Sequence, residues 1–133
     1  MTEKGQTTRL RFVKEERLKS RKLIELLFSE RIFVQNQVLR IYYKPIEIDC
    51  AFPAQFAFAV SKKIFANAVD RNRIKRLMRE SIRLQKPEIY ASLKNQNKQY
   101  LILLSYQVKE VKTFKEIDEA IQKLLHKILN EAQ

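Results

Sequence analysis

Residues 70–84 carry six basic side chains in fifteen residues, and they constrain the fold more than any other stretch. At 3.6 residues per turn, one face of this stretch is apolar or small and comprises Ile74, Leu77, Met78 and Ser81. The opposite face comprises Asn72, Arg76, Arg79 and Arg83, with Lys75 beside them. The pattern predicts a helix that buries one face and offers guanidinium groups to a phosphate backbone. The alternative is an ordinary solvated helix face, although such faces usually mix charges of both signs.

The positive charge of the chain is concentrated in this region. The 133 residues carry a net charge of +12, and residues 61–86 hold nine basic side chains against two acidic ones. A localised basic region is typical of a protein that binds a polyanion, with nucleic acid as the first candidate and an anionic membrane surface as the second. The membrane alternative is the weaker one, because the apolar stripe at 74–78 is narrow and lacks an aromatic anchor.

Length and composition favour a single domain, because the apolar fraction of 45% is sufficient for a core. No apolar run reaches the roughly 18 residues of a membrane span. The first residues lack the apolar centre of a signal peptide, so we expect a cytoplasmic protein. The single cysteine, Cys50, has no partner for an internal disulfide, which favours a reducing compartment.

Periodicity predicts the order helix, two strands, third strand, basic helix, strand, helix. The N-terminal 18 residues are polar and basic, and residues 1–10 are predicted to be a disordered arm that either contacts phosphates or acts as a solubilising tail. The predicted helices cover 21–29 with a Ser20 cap, the basic stretch with an Asn67 cap and an end at Lys86-Pro87, and a long segment after the capping box 113–116. The predicted strands cover 31–35, 38–45, 55–60 and 100–105.

Two further features are candidates for ligand contact. The second predicted strand alternates, so that Arg40, Tyr42 and Lys44 share one face. That face is either able to stack a base on Tyr42 and hold phosphates, or the ordinary solvent face of an antiparallel sheet. The first helix is too short to bury all its large apolar residues, so Ile24 or Phe28 is a candidate to line an open groove.

The sequence holds no catalytic constellation of its own. His126 is the only histidine and has no evident partner, so a structural role is predicted. Zinc-ligand spacing, a phosphate-cradling glycine loop and the carboxylate cluster of two-metal nucleases are all missing from the sequence. We therefore expect no catalytic residue and no metal or cofactor on the protein alone. If the chain serves an enzyme, it binds and positions while another component does the chemistry.

Two segments, 58–64 (FAVSKKI) and 68–80 (AVDRNRIKRLMRE), strongly resemble the protein component of bacterial ribonuclease P. The similarity extends to the first helix, the strands at 38–43 and 100–105, and the final helix. The resemblance implies an α+β fold, in which a single-layer four-stranded mixed sheet packs with three helices in the order α-β-β-β-α-β-α. It also implies a left-handed β-α-β crossover and a likeness to a small-subunit ribosomal protein domain. The left hand rests on the resemblance alone, because right-handed crossovers are the general rule.

The resemblance also implies a function in tRNA maturation. In that family an RNA subunit and its divalent magnesium ions remove the 5′ leader of precursor tRNA, with one protein expected per RNA. The residues implied to bind that RNA are Lys62, Lys63, Arg71, Asn72, Arg73, Lys75, Arg76, Arg79 and Arg83. The residues implied to line a cleft for the single-stranded leader are Ile24, Phe28, Arg40 and Tyr42. Ile24 stands where the family often has phenylalanine, so apolar contact is expected there.

A general RNA-binding or ribosome-associated protein is the alternative function. It would share the basic helix but would need no leader cleft. Cross-linking of a precursor tRNA leader to Phe28 or Tyr42 distinguishes the two functions.

Overall fold

The computed structural model describes residues 12–48 and 51–131, so the predicted arm at 1–10 and Cys50 lie outside the described residues. A short 3-10 helix, Lys14–Glu16, precedes the main elements. These are α1 (Arg21–Glu30), β1 (Phe33–Gln35), β2 (Leu39–Pro45), β3 (Ala54–Val60), α2 (Ala68–Asn95), β4 (Tyr100–Tyr106) and α3 (Phe114–Glu131). The predicted order of helices and strands is confirmed.

The strands form one mixed sheet in the order β1-β2-β4-β3. β2 pairs antiparallel with β1 and with β4, whereas β3 pairs parallel with β4. The parallel pair is connected through α2, which makes β3-α2-β4 the crossover that the resemblance implies; its left-handed sense stays a prediction. The predicted α+β class, with a four-stranded mixed sheet and three α-helices, is confirmed.

Helices pack on both faces of this sheet. On one face, α2 and α3 bury the larger core, to which β2 contributes Leu39 and Ile41. On the other face, α1 packs on β2 and buries Leu27 against Tyr42 and Leu103. The alternation predicted for β2 is therefore confirmed, but both of its faces are covered by helices.

Helix α3 begins at the predicted capping box. The Thr113 N–H donates to Glu116 Oε1 at 3.1 Å, and the Glu116 N–H donates to Thr113 Oγ1 at 3.2 Å. The hydrogen bond from the Thr113 backbone is the largest cause of a lowered pKa for the Glu116 carboxyl. The buried stripe of α3 lies against the larger core, as predicted, and comprises Ile117, Ala120, Ile121, Leu124, Leu125 and Ile128.

Helix α2 is longer than predicted, because it continues through Pro87 to Asn95. The predicted end at Lys86-Pro87 is wrong. Proline lacks the N–H that would bond to the carbonyl four residues earlier, which costs about 3 kcal/mol within a helix. Beyond Pro87 the helix buries Ile89 and Leu93 in the larger core, and each large apolar side chain contributes about 1.5–3 kcal/mol. Packing on the sheet thus outweighs the local cost of the proline.

Replacing Pro87 with alanine is expected to raise the free energy of unfolding by about 1–2 kcal/mol. Alanine restores the missing backbone hydrogen bond, while up to about 1 kcal/mol is lost because the unfolded chain becomes more flexible. Urea denaturation measures the change. Leu84→Ala, at an exposed position of the same helix, is the control and should change stability by less than about 0.5 kcal/mol. A lower stability for Pro87→Ala would contradict the prediction.

Candidate nucleic-acid interface

The first half of α2 holds most of the predicted RNA-binding side chains at the surface. Its buried face includes three of the four predicted residues, Ile74, Met78 and Ser81, whereas Leu77 is half-buried. The exposed residues are Asn72, Arg73, Arg76 and Arg79, and Lys75 is half-buried. No described residue forms an ion pair with Arg73, Lys75 or Arg76. These three cations are therefore available to a polyanion.

The segment that leads into α2 is ordered by side-chain caps. Asn67 Oδ1 accepts a hydrogen bond from the Val69 N–H at 2.8 Å, which confirms the predicted N-cap. Ser61 Oγ accepts from the Lys63 N–H at 3.0 Å in the turn after β3. Lys62 and Lys63 are both exposed in this turn. The structure thus places two further cations just before the basic helix.

Two of the predicted RNA ligands also have partners within the protein. Arg71 Nη1 donates to the carbonyls of Phe65 and Ala66, each at 2.8 Å, so this guanidinium shapes the loop before α2. Arg83 Nε donates to Glu80 Oε1 at 3.0 Å, and Arg83 Nη2 pairs with the other carboxylate oxygen. That side-chain hydrogen bond raises the pKa of Arg83 and lowers the pKa of Glu80. Arg83 consequently adds less net positive charge to the surface than Arg76.

Arg79 lies beside a second arginine that comes from the N-terminal segment. Its guanidinium carbon is 5.5 Å from the centroid of the Phe58 ring. Burial, and then the charge of Arg17, lower the pKa of Arg79. The backbone of Arg17 is held beside β3 by an isolated parallel β-bridge with Phe56. In addition, the Leu18 N–H donates to the Phe56 carbonyl at 2.8 Å. The N-terminal segment therefore adds a cation that periodicity did not assign to this surface.

A buried ion pair holds that segment against α2. The Lys86 Nζ lies 2.8 and 2.9 Å from the two oxygens of Glu16, and the two residues are 2% and 0% exposed. The same carboxylate accepts from the Tyr90 hydroxyl, and from the Val13 N–H at 2.9 Å. The Lys86 ammonium also lies 5.0 Å from the centroid of the Phe12 ring. This network fixes the N-terminal segment to the middle of α2.

A second candidate surface lies where α1 crosses β2. The four residues predicted for the leader cleft belong to these two elements. Phe28 is 40% exposed, and its ring meets the Tyr42 ring edge-on with centroids 4.8 Å apart. Tyr42 is only 7% exposed, because α1 covers it and the Phe33 ring packs on it with centroids 5.3 Å apart. The prediction that this strand face is exposed to solvent is therefore wrong at Tyr42. Ile24 is half-buried in the same apolar cluster.

Arg40 is engaged within the protein at this surface. Its Nε and Nη2 donate to Gln35 Oε1 at 3.1 and 3.0 Å, and its Nη1 donates to the Tyr42 hydroxyl at 3.1 Å. The guanidinium carbon lies 4.3 Å from the centroid of the Phe33 ring. Sequence reasoning missed Gln35 and Phe33, although both lie in the predicted strand 31–35. The available signal was their register opposite Arg40 and Tyr42 in an antiparallel pair.

Two small side chains of β3 lie next to the apolar cluster that α1 covers. Ala57 and Ala59 are partly exposed and belong to the apolar cluster under α1.

An ion pair connects the end of α1 to β2. Lys44 Nζ lies 3.0 and 3.1 Å from the two oxygens of the Glu30 carboxylate. Lys44 was predicted to hold a phosphate, but the Glu30 carboxylate at least partly offsets its positive charge. The helix ends at Glu30, and its C-cap residue Arg31 has the left-handed conformation, with φ of 55°.

Within residues 12–48 and 51–131, no group of three or more His, Cys, Asp or Glu side chains is placed to hold a metal ion. No helix in those ranges combines the length and apolar character needed to cross a membrane. The described residues offer two candidate surfaces, the basic face of α2 and the aromatic surface where α1 packs on β2.

Sequence comparisons identify the family. The family model described as Ribonuclease P matches residues 12–129. A protein from Chlorobium phaeobacteroides, named ribonuclease P protein component, is 31% identical over 125 residues and 86% of each chain is covered. A protein of the same name from Porphyromonas gingivalis is 34% identical over 117 residues, which cover 86% of this chain and 84% of the relative.

Solved structures agree with that result. The ribonuclease P protein of Staphylococcus aureus matches with a TM-score of 0.68 and 25% identity, over 85% of this chain and 94% of that one. The protein of Thermotoga maritima matches with a TM-score of 0.67 and 26% identity, over 84% and 96% of the two chains. The chain therefore belongs to the ribonuclease P protein family and is a component of the tRNA-processing ribonucleoprotein enzyme.

Proposed function

We propose that the basic face of α2 docks on the ribonuclease P RNA while the cleft beside α1 holds the 5′ leader of precursor tRNA. The separation of the two surfaces supports this division of labour most directly. The available cations lie on α2, which packs on one face of the sheet, whereas Phe28 lies on α1, which packs on the other face. One chain can thus contact two RNAs at once without competition between them.

The α2 surface suits a folded RNA because its contacts are charges. Arg73, Lys75 and Arg76 would neutralise backbone phosphates and release their counterions, which favours binding without any base readout. Lys62 and Lys63 extend the same surface toward β3. Divalent magnesium ions in the RNA-containing holoenzyme would carry the hydrolysis. By offsetting phosphate repulsion, this chain would raise their occupancy and the affinity for the substrate.

The cleft suits an unpaired strand because its contacts are apolar and aromatic. The exposed ring of Phe28 offers a stacking surface to an unstacked base, and Ile24 offers apolar contact beside it. Such contacts tolerate different base sequences, because every base has a π-face. The assembled complex is proposed to be cytoplasmic, with one protein per RNA.

Phe28→Ala is expected to weaken binding of precursor tRNA to the reconstituted holoenzyme by on the order of tenfold. The affinity for mature tRNA, which has no leader, should not change. Equilibrium binding with both tRNAs measures the two effects. Ile32→Ala is the control, since Ile32 is exposed and apolar but lies beyond the end of α1. Equal losses for both tRNAs would contradict the leader cleft.

The holoenzyme assay tests the function as a whole. The purified chain is added to a bacterial ribonuclease P RNA at low magnesium, and removal of the 5′ leader is followed, with the RNA alone as control. Stimulated cleavage is expected. A chain that bound the RNA but left cleavage unchanged would instead be a general RNA-binding protein.

A further inference from the structure

We infer that Gln35 is a positioning residue for leader binding: it orients Arg40, which in turn orients the hydroxyl of Tyr42 toward the leader. The inference rests on the proposed leader cleft and adds a polar chain of three side chains to it. The resemblance placed Arg40 at the leader itself. The geometry adds a role for Arg40 within the protein, between Gln35 and Tyr42.

The hydrogen bonds of Arg40 show how its orientation is set. A guanidinium has five N–H groups in one plane. Two nitrogens, Nε and Nη2, donate to the single Oε1 of Gln35, and Nη1 donates to the Tyr42 hydroxyl. Phe33 supports one face of the plane at 4.3 Å. Gln35 therefore determines the rotation of the guanidinium in its plane, and Phe33 determines its tilt.

The Tyr42 hydroxyl can still donate one hydrogen bond. Its oxygen accepts from Arg40, so its hydrogen remains to be donated. No acceptor for that hydrogen is found among the described residues, and a hydroxyl that accepts from a cation is a stronger donor. Because Tyr42 is only 7% exposed, its ring offers a ligand little area. What Tyr42 can present to a leader nucleotide is the directed O–H group.

The register of the sheet builds this arrangement. Gln35 and Arg40 are direct partners in the β1–β2 pair, and Phe33 and Tyr42 are partners two residues along. All four side chains thus belong to one short antiparallel pair. β1 is an edge strand of three residues, so side-chain bonds of this kind add to a ladder with few backbone bonds.

The test is a double-mutant cycle on the reconstituted holoenzyme. Affinities for precursor tRNA and for mature tRNA are measured for wild type, Gln35→Ala, Arg40→Ala and the double variant. Gln35→Ala should weaken binding of precursor tRNA about three- to fivefold and leave mature tRNA unchanged. The double variant should resemble Arg40→Ala alone, because Gln35 acts through Arg40. Gln35→Glu, which keeps the acceptor oxygen Oε1 for Arg40, should restore the affinity.

Two comparisons make the result decisive. Gln37→Ala removes an exposed glutamine two residues away and should have no effect. Tyr42→Phe should abolish the effect of Gln35→Ala, since the positioned hydroxyl is then missing. If Gln35→Ala is silent while Phe28→Ala weakens precursor binding, or if the Gln35 and Arg40 effects simply add, the positioning role is overturned and the cleft stands. If wild type binds both tRNAs equally, the cleft and the positioning role both fail.

Discussion

Replacing Glu16 with alanine is expected to lower the free energy of unfolding by about 3–5 kcal/mol, since it breaks a buried ion pair from one side. Lys86 is 2% exposed and would lose the carboxylate that lies within 2.9 Å of its ammonium group. The Tyr90 hydroxyl and the Val13 N–H would lose the same acceptor. Urea denaturation at neutral pH, followed by circular dichroism, measures the loss.

Two variants separate this effect from a general sensitivity of the segment. Glu15→Ala removes an exposed carboxylate from the preceding residue and should change stability by less than about 0.5 kcal/mol. A double replacement of Glu16 and Lys86 by leucine removes both charges and should recover much of the loss, because no ion is then left buried without its partner. A Glu16→Ala variant as stable as Glu15→Ala would show that the ion pair contributes nothing.

Replacing Arg76 and Arg79 together with alanine is expected to weaken binding to the ribonuclease P RNA roughly a hundredfold at about 0.1 M salt. Both side chains are exposed on α2, so the loss should come from phosphate contacts and not from unfolding. The slope of log affinity against log salt should become shallower by up to about two, one unit for each phosphate contact removed. Binding isotherms at four or more salt concentrations give both quantities.

The matched control for this pair is Lys123→Ala with Lys127→Ala. These lysines are exposed on α3 and lie four residues apart, so the same charge is removed from a different surface. Their loss should reduce affinity only slightly. Two results would show that the RNA-binding surface does not lie on this face of α2. One is an equal loss of affinity for both double variants, and the other is an unchanged salt slope for the Arg76 and Arg79 variant.

The features of this fold that depend on neighbouring residues in the sequence, such as helix periodicity and helix caps, were predicted correctly. The basic helix followed from periodicity, and its N-cap from Asn67, whose side chain competes for the first free N–H groups. The capping box at Thr113 and Glu116 likewise marked the start of α3. The end of α2 was mispredicted, because the rule for Pro87 is local whereas burial of Ile89 and Leu93 is tertiary.

The missed parts of the candidate surfaces depend on contacts between distant residues. Glu16 and Lys86 are 70 positions apart, and each by itself reads as an ordinary surface charge. Alternation in β2 showed that Tyr42 and Ile41 face opposite ways, but alternation does not reveal which helix covers a face. The basic helix was predictable because all its cations lie on one element. The aromatic surface beside α1 was only partly predictable, because α1, β1 and β2 build it together.

The position of the N-terminal segment beside β3 has a consequence for the protein before it meets RNA. β3 is the outermost strand on its side of the sheet, and an open strand edge is a template for aggregation with other chains. The Leu18 N–H donates to the Phe56 carbonyl, and Gln55 Nε2 donates to the Glu15 carbonyl at 3.0 Å. The N-terminal segment of the same chain therefore covers part of this strand edge. The opposite edge, β1, is only three residues long. Both edges thereby limit intermolecular strand pairing, which keeps the free protein available for assembly.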